Sequence, residues 1–220
     1  FREGLPLQKV AKNKTCTVPH RNHRSRSYHR HVELVLASQS PRREKLLVEA
    51  GYDVDVQPAD VDECRLEHES PRAYVLRLAR AKAVAVEFPR RVVIGADTVV
   101  LIDGLILGKP TDRSDAMRML GLLAGRTHTV LTGVAVICDG DVLDSVQETR
   151  VTFAPLEPKE IAWYASTGEP DDKAGAYGIQ GIGSRFIERI EGSYTNVVGL
   201  PIALVHRFIQ QISSVPMGTR

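Results

Sequence analysis

One carboxylate interrupts the most apolar run of the chain. Residues 91–102 (RVVIGADTVVLI) predict a strand that is buried on both faces, and Asp97 stands in the middle of it. An unpaired charge is very costly in such a setting, so this carboxylate must be ion-paired, bound to a metal or held protonated. The small residues Gly95 and Ala96 would let a ligand approach the backbone closely. Asp97 is therefore the strongest single candidate for a functional residue.

A second candidate site is the junction of a short strand and a helix. Residues 33–36 predict the strand, Ser40 falls at the N-cap, and Pro41 falls at the first helical position. Such a junction leaves backbone N–H groups unpaired beside the positive end of the helix dipole, where an anion can bind. Arg42 and Arg43 stand on this first turn, where each cation opposes the dipole at a cost of about 0.3–1 kcal/mol. An anion held between the two arginines would explain their placement better than solvation does.

Two lysines and a group of acids complete the candidate set. Lys82 falls within the apolar stripe of a helix predicted over residues 70–88, so its ammonium either reaches solvent, the usual outcome, or meets a buried anion. Lys109 would emerge beside the strand of Asp97 after a hairpin turn. Residues 58–63 (PADVDE) hold three carboxylates, which form either a solvated turn or half of a divalent-metal site. Taken alone, the solvated turn is the more common outcome.

Short strands and amphipathic helices alternate around these candidates and must position them. The pattern further predicts strands over residues 52–56, 127–138, 142–153 and 186–190, helices over 41–50, 111–124, 157–167 and 198–212, and a polar, glycine-rich loop over 168–181. A loop this rich in special residues is more often a binding loop than a spacer. The alternation predicts one compact α/β unit.

The composition is that of a globular protein. The chain has 220 residues, of which 43% are hydrophobic and 25% charged, and no apolar run approaches the roughly 20 residues that a membrane helix needs. We therefore expect a soluble protein without a membrane partner. The cysteines show no C-x-x-C spacing, which argues against a disulfide framework or a zinc site and fits a reducing compartment. No G-x-x-x-x-G-K-[ST] loop is present, which argues against a P-loop enzyme.

The formal net charge of +2 hides an asymmetry along the chain. Residues 1–31 hold eight basic residues and one acidic residue, with almost no apolar pattern, whereas the remainder carries an acidic excess. We expect a poorly ordered basic extension over residues 1–31, a catalytic domain over 32–213 and a tail over 214–220. The extension fits an organellar transit peptide, an arm that binds nucleic acid or a membrane surface, or an artefact of gene modelling.

Several separated motifs then stand out together, and they are LASQSPRR at residues 36–43, IGADT at 94–98, GKP at 108–110, and YGIQG at 177–181 continuing to GSYTNVVGLP at 192–201. In combination they closely resemble the Maf family of nucleoside triphosphate pyrophosphatases, over residues 32–213. The resemblance implies an α/β fold similar to that of inosine triphosphate pyrophosphatases, with an elongated mixed sheet flanked by helices and two lobes around a central cleft. It also implies cleavage between the α- and β-phosphates, which yields a nucleoside monophosphate and pyrophosphate.

The matching motifs carry the family's residue roles onto this sequence. Asp97 falls on the general base, and the phosphate-handling residues are Ser38, Arg43, Lys82 and Lys109. Glu63 matches an acidic position that helps to hold a divalent metal, Mg²⁺ or Mn²⁺, together with Asp97. Residues 172–181 (DKAGAYGIQG) look like the branch that acts on dTTP and UTP rather than the branch for 7-methyl-GTP. Specificity in that branch is set at the positions matched by Arg42, Thr98 and Gln180.

The leading hypothesis is an enzyme that hydrolyses dTTP, UTP and modified pyrimidine triphosphates. The alternative is a non-catalytic regulator of cell division that binds a nucleotide or nucleic acid in the same cleft. Asp97 argues against that alternative, because a carboxylate repels phosphate unless a metal is bound. We expect a nucleoside triphosphate as the partner, nucleic acid only through the basic extension, and a cytoplasmic location. A homodimer and organellar targeting stay open.

Overall fold

The computed structural model of the chain describes residues 33–86 and 88–214. The predicted basic extension over residues 1–31 and nearly all of the predicted tail over 214–220 lie outside the described residues. The predicted division of the chain into these three parts therefore stays a prediction.

The described residues form seven strands, six α-helices and two short 3₁₀ helices. In chain order they are β1 (Leu34–Ala37), α1 (Pro41–Glu49), β2 (Val54–Val56), α2 (Pro71–Ala85), β3 (Val92–Ile102), β4 (Leu105–Leu107), α3 (Arg113–Leu123), β5 (Thr127–Cys138), β6 (Asp141–Phe153), α4 (Pro158–Ala165), the 3₁₀ helices Ala174–Ala176 and Gly181–Phe186, β7 (Ile187–Glu191), α5 (Tyr194–Val198) and α6 (Ile202–Ser214). None of the described helices combines the length and the apolar character that crossing a membrane requires.

The strands form one mixed sheet in the order β2-β1-β3-β5-β6-β7, and β4 pairs with β3 outside that path. β1 runs parallel to both β2 and β3, whereas all the other pairings are antiparallel. Helices pack against the sheet from both sides. This architecture confirms the predicted α/β class with an elongated mixed sheet.

β3 is the strand on which the candidate site is built. Along one edge it pairs with β5 over residues 93–101. Along its other edge β1 covers residues 92–95 and β4 covers residues 100–102. Residues 96–99 therefore have no neighbouring strand on that edge among the described residues, and the sheet opens at this point.

Successive side chains of β3 alternate between two differently packed faces. Val93 and Val99 pack against α2, which covers one face of the sheet. Ile94 and Ala96 lie on the other face, in a core that they share with β1, α1 and α6. At the far end of the strand, Val100 joins a second core with α3 and α4. The two cores at the two ends of β3 correspond to the two predicted lobes.

α2 lies directly on the sheet because two glycines leave room for its backbone. A Cβ atom at Gly95 would lie 2.1 Å from the carbonyl oxygen of Ala79, and one at Gly133 would lie 2.2 Å from that of Val75. Both distances are far shorter than a van der Waals contact, so the packing accepts only glycine at these two positions. The close approach brings Lys82 of α2 down to the level of β3.

The predicted helix over residues 198–212 is wrong at its start. Val198 ends the short helix α5, and α6 begins only at Ile202. Gly199 adopts a φ of 125°, which favours glycine, and Pro201 has no N–H group with which to continue a helix. The break leaves the carbonyl oxygen of Gly199 available to the candidate site.

Candidate active site

The ammonium group of Lys82 lies between two carboxylates. Its Nζ atom is 2.7 Å from Oδ1 of Asp97 and 2.6 Å from Oε1 of Glu63. Lys82 and Asp97 are each only 9% exposed, whereas the Glu63 side chain is 58% exposed. Of the two alternatives left open for Lys82, the structure therefore shows the second, because this ammonium meets the buried carboxylate of Asp97. The pairing also explains how a charged aspartate is accommodated in a strand of apolar residues.

The environment of Asp97 suits a group that accepts a proton. Burial raises the pKa of this carboxyl, while the positive charges of Lys82 and Arg43 act in the opposite direction. The hydrogen bond from Lys82 occupies Oδ1, and Oδ2 receives no hydrogen bond from any other described residue. Because Asp97 also lines the cleft, one oxygen is available to a water molecule there.

Arg43 turns inward from α1 and joins three parts of the fold. Its Nε donates to the carbonyl oxygen of Gly199 at 2.8 Å. One terminal nitrogen donates to Oγ of Ser38 and to the carbonyl oxygen of Ala96, both at 3.0 Å, and the other donates to Oγ1 of Thr98 at 3.1 Å. Four acceptors leave one of the five N–H bonds of the guanidinium for a ligand. The role predicted for Arg43 in handling phosphate is therefore confined to that single donor.

Arg42 points the other way and meets the glycine-rich loop on the opposite wall. Its guanidinium donates to Oδ2 of Asp172 at 2.5 Å and to the carbonyl oxygen of Asp172 at 3.2 Å. Burial alone would raise the pKa of Asp172, but hydrogen bonds from Lys173 and Arg42 outweigh it and lower the pKa to about 2. The two arginines thus diverge, and their internal partners account for them without the predicted anion between them.

Ser38 and Thr98 belong to the same polar network as Arg43. Oγ of Ser38 accepts hydrogen bonds from Arg43 and from the backbone N–H of Ser40, so its own hydrogen is left to donate. Oγ1 of Thr98 accepts from Arg43 and lies 2.9 Å from Oγ1 of Thr132. Thr98 therefore supports Arg43 in this structure, while its predicted role in specificity stays a prediction.

Lys109 and Gln180 are the two predicted residues whose side chains lie open to the cleft. Both are exposed, and neither side chain forms a hydrogen bond or ion pair with another residue in the described part of the chain. Lys109 follows β4, and Gln180 immediately precedes the second 3₁₀ helix. Their ammonium and amide groups are available to a bound molecule.

All the predicted site residues line one cleft of about 750 Å³, a volume typical of small-molecule sites. They are Ser38, Arg42, Arg43, Glu63, Lys82, Asp97, Thr98, Lys109 and Gln180. Several further lining residues were not predicted as site residues, among them Tyr74, Asp172 and Lys173. The last two belong to the quoted loop motif, which could have pointed to them, whereas Tyr74 lies outside all the quoted motifs.

Glu63 and Asp97 are the oxygen donors available to the predicted divalent metal. The described residues contain no group of three His, Cys, Asp or Glu side chains that could hold a metal ion. Mg²⁺ is commonly bound by one or two carboxylates together with substrate phosphates, rather than by a complete protein cage. The number of carboxylates matches this pattern, but Nζ of Lys82 already contacts Oδ1 of Asp97 and Oε1 of Glu63, so only the other oxygen of each carboxylate is left for a metal, which stays a prediction.

Comparison with known proteins gives consistent matches over most of the chain. The family model described as Maf-like protein matches residues 33–212. A dTTP/UTP pyrophosphatase of Symbiobacterium thermophilum is 50% identical over 183 residues, which are 82% of this chain and 93% of that protein. One of Anaeromyxobacter dehalogenans is 56% identical over 174 residues, covering 77% of this chain and 89% of that protein. Among solved structures, the Staphylococcus aureus Ham1 protein matches with a TM-score of 0.45 and 14% identity, over 82% of this chain and 99% of that one. The family model and the two relatives show that the chain belongs to the family of Maf-like proteins.

Proposed function

We propose that this protein is a nucleoside triphosphate pyrophosphatase that hydrolyses dTTP and UTP to the nucleoside monophosphate and pyrophosphate. The observation that carries the proposal is a buried carboxylate, Asp97, in a cleft that also contains several cationic side chains. The relatives that are 50% and 56% identical over most of the chain carry the name dTTP/UTP pyrophosphatase, and they support the same substrates here.

The reaction needs a base for the attacking water. Asp97 accepts the proton through Oδ2 as the water oxygen bonds to the α-phosphorus and the bond to the bridging oxygen breaks. Lys82 holds Oδ1 at 2.7 Å and so orients the carboxylate. Burial raises the pKa of Asp97, and this favours the uptake of the proton by its carboxylate.

The departing pyrophosphate needs positive charge around it. Lys109 has no internal partner among the described residues, and the Ser38 hydroxyl and the last N–H of Arg43 are donors on the same cleft. Donors that are already in place stabilise the charge of the transition state without reorganisation. A divalent metal held by Glu63 and Asp97 would neutralise phosphate charge when bound.

Base recognition is assigned to Gln180. A side-chain amide offers one acceptor and two donors, so it can pair with the N3–H and a carbonyl group that thymine and uracil share. Cytosine and adenine lack this adjacent N–H and carbonyl group, whereas guanine has one at N1–H and O6, so the amide by itself discriminates against cytosine and adenine. Gln180 is exposed on the cleft, and its side chain forms no hydrogen bond with another described residue. Both the oxygen and the NH₂ group of its amide are therefore available to a base.

A steady-state panel tests the proposal. The purified protein is incubated with Mg²⁺ or Mn²⁺ and with dTTP, UTP, dCTP, dATP, dGTP or 7-methyl-GTP, and pyrophosphate and monophosphate are measured. We expect kcat/KM for dTTP and UTP to be at least about tenfold above that for dATP and dGTP. Release of inorganic phosphate would contradict the assigned bond, and preference for 7-methyl-GTP would contradict the pyrimidine assignment. Binding without turnover would favour the regulator hypothesis instead.

A further inference from the structure

The carboxylate of Glu169 binds the backbone directly after Gln180. Oε2 accepts the N–H of Ile182 at 2.8 Å, and Oε1 accepts the N–H of Gly183 at 2.9 Å. One side chain therefore uses both oxygens to hold the first turn of the 3₁₀ helix that begins just beyond the base-reading residue. Hydrogen bonds in which the acceptor is ionised are roughly twice as strong as neutral ones.

Tyr164 extends this contact to the other side of Gln180. Its hydroxyl donates to Oε1 of Glu169 at 2.9 Å and accepts the backbone N–H of Gly178 at 3.2 Å. The phenol is fully buried, and burial raises its pKa, so it keeps the proton that it donates. Glu169 thus holds the chain directly two residues beyond Gln180 and, through Tyr164, two residues before it.

The loop closes on these two side chains only because two of its positions are glycines. A Cβ atom at Gly181, which has a φ of 75°, would lie 2.7 Å from Oε2 of Glu169. A Cβ atom at Gly183 would lie 2.6 Å from the hydroxyl oxygen of Tyr164. The two glycines therefore allow the close contacts with Glu169 and Tyr164. This packing distinguishes the segment from a solvated loop.

Glu169 also connects the loop to the opposite wall of the cleft. Nζ of Lys173 donates to the carbonyl oxygen of Glu169 at 2.6 Å and to Oδ1 of Asp172 at 2.7 Å. Asp172 in turn pairs with Arg42 on α1. Glu169 itself is not among the residues that line the cleft, so it acts on a ligand only through the residues that it holds.

We propose that Glu169 is a positioning residue for base selectivity, because its carboxylate holds the loop on both sides of Gln180 and so sets where the amide meets the base. The inference rests on the proposed function, since it explains a preference among nucleotides.

The proposed role of Glu169 is tested by comparing the wild type with Glu169→Gln, Gln180→Ala and the double variant. An amide at position 169 has one acceptor oxygen, so one of the two backbone N–H groups then faces an N–H₂ group. We expect Glu169→Gln to reduce the ratio of kcat/KM for dTTP to that for dATP by about tenfold, with kcat for dTTP changed by less than about threefold. In the Gln180→Ala background the same change should leave the ratio nearly unaltered, because the two residues act as one unit. Glu188→Gln, at an exposed position on β7, is the matched control and should keep the wild-type ratio.

Selectivity that survives Glu169→Gln, an equal loss for every nucleotide, or additive effects in the double variant would overturn the inference while the proposed function stands. A wild type without pyrimidine preference would contradict the proposed function and the inference with it. If Glu169→Gln does not fold, Tyr164→Phe takes its place, because it keeps the ring and removes only the hydroxyl that joins Glu169 to Gly178. Wild-type selectivity in Tyr164→Phe would likewise overturn the inference.

Discussion

Lys82 and Asp97 form a buried ion pair between a helix and a strand that meet almost without side chains between them. Gly95 lies on the same strand, two residues before Asp97, and the backbone of α2 rests on it at the level of Ala79 and Ala83. The 2.7 Å contact therefore depends on how closely α2 can approach β3. The ion pair therefore depends on the packing of the two backbones as well as on the attraction between the opposite charges.

The Asp97→Asn variant should lose hydrolysis while it still folds and binds nucleotide. The change removes the base and one metal ligand but almost no volume, and loss of a general base typically lowers kcat by about 10²–10⁴-fold. Pyrophosphate release measures kcat, and calorimetry with dTTP measures binding. Asp53→Asn, at an exposed position, is the control. If Asp97→Asn kept more than about a tenth of wild-type kcat, Asp97 would not be the base.

Lys82→Met should destabilise the folded protein because it leaves Asp97 buried beside an apolar side chain. Breaking a buried ion pair from one side costs about 3–5 kcal/mol of unfolding free energy. Removing both charges in Lys82→Met/Asp97→Asn should recover part of that loss, since no unpaired charge then remains in the strand. Urea denaturation of the three variants and the wild type gives the comparison. A double variant that is less stable than Lys82→Met alone would contradict the assignment of the loss to an uncompensated Asp97.

Asp172→Asn should lower KM for dTTP by up to about fivefold, with kcat nearly unchanged. The substitution removes one negative charge from the cleft wall and releases the guanidinium of Arg42, which can then meet a phosphate. The gain is small because the pair is partly exposed, with the Arg42 side chain 28% and that of Asp172 56% accessible. It should shrink as the salt concentration rises. Asp171→Asn, next in the chain and also exposed, is the control, and a rise in KM for Asp172→Asn would show that the intact pair favours binding.

His128 should make the fold sensitive to acid. Burial lowers the pKa of this imidazole to about 4, whereas the ordinary value is 6.5. The folded state therefore disfavours the charged form, so the unfolded state binds more protons between these two values, and stability falls as the pH drops from 6.5 to 4. The full difference amounts to about 3 kcal/mol.

Denaturation curves between pH 4.5 and 7 measure this effect. His128→Phe should flatten the dependence of unfolding free energy on pH, because the group that titrates is gone. His68→Asn replaces an exposed histidine at a φ of 59°, which asparagine tolerates, and should keep the wild-type slope. Equal slopes in wild type and His128→Phe would assign the acid sensitivity to other groups.

Local signals in the sequence were sufficient for most of the elements of the fold. The Asp103-Gly104 and Asp139-Gly140 pairs both adopt positive φ angles at hairpin turns, with values of 49° and 78°, and of 48° and 87°. Alternation and helical periodicity gave most of the other strands and helices to within a few residues, but they predicted neither α5 nor the two 3₁₀ helices. The error at Gly199 arose because the apolar pattern continues across a residue whose backbone angle ends the helix.

The sequence identified which residues belong to the candidate site, but it could not predict the contacts that these residues form with one another. The nine residues predicted from the sequence all line one cleft, although Glu63 and Lys82 lie outside the quoted motifs. The partner of Arg42 lies 130 positions away and one partner of Arg43 lies 156 positions away, so no local pattern could show that these side chains diverge. Glu169 was missed for the same reason, since its role depends on backbone N–H groups that have no signature in the sequence.

The alternation of side chains between the two faces of β3 makes the active site sensitive to the number of residues in that strand. Side chains alternate between the faces of a strand, so an insertion or deletion of one residue between Gly95 and Asp97 would turn the carboxylate away from Lys82 and towards the face that holds Thr132. The same change would shift the strand against β4 by one position. The number of residues in β3 is therefore constrained as strictly as their types, and variation in chain length among functional members of the family is expected only in the loops outside this strand.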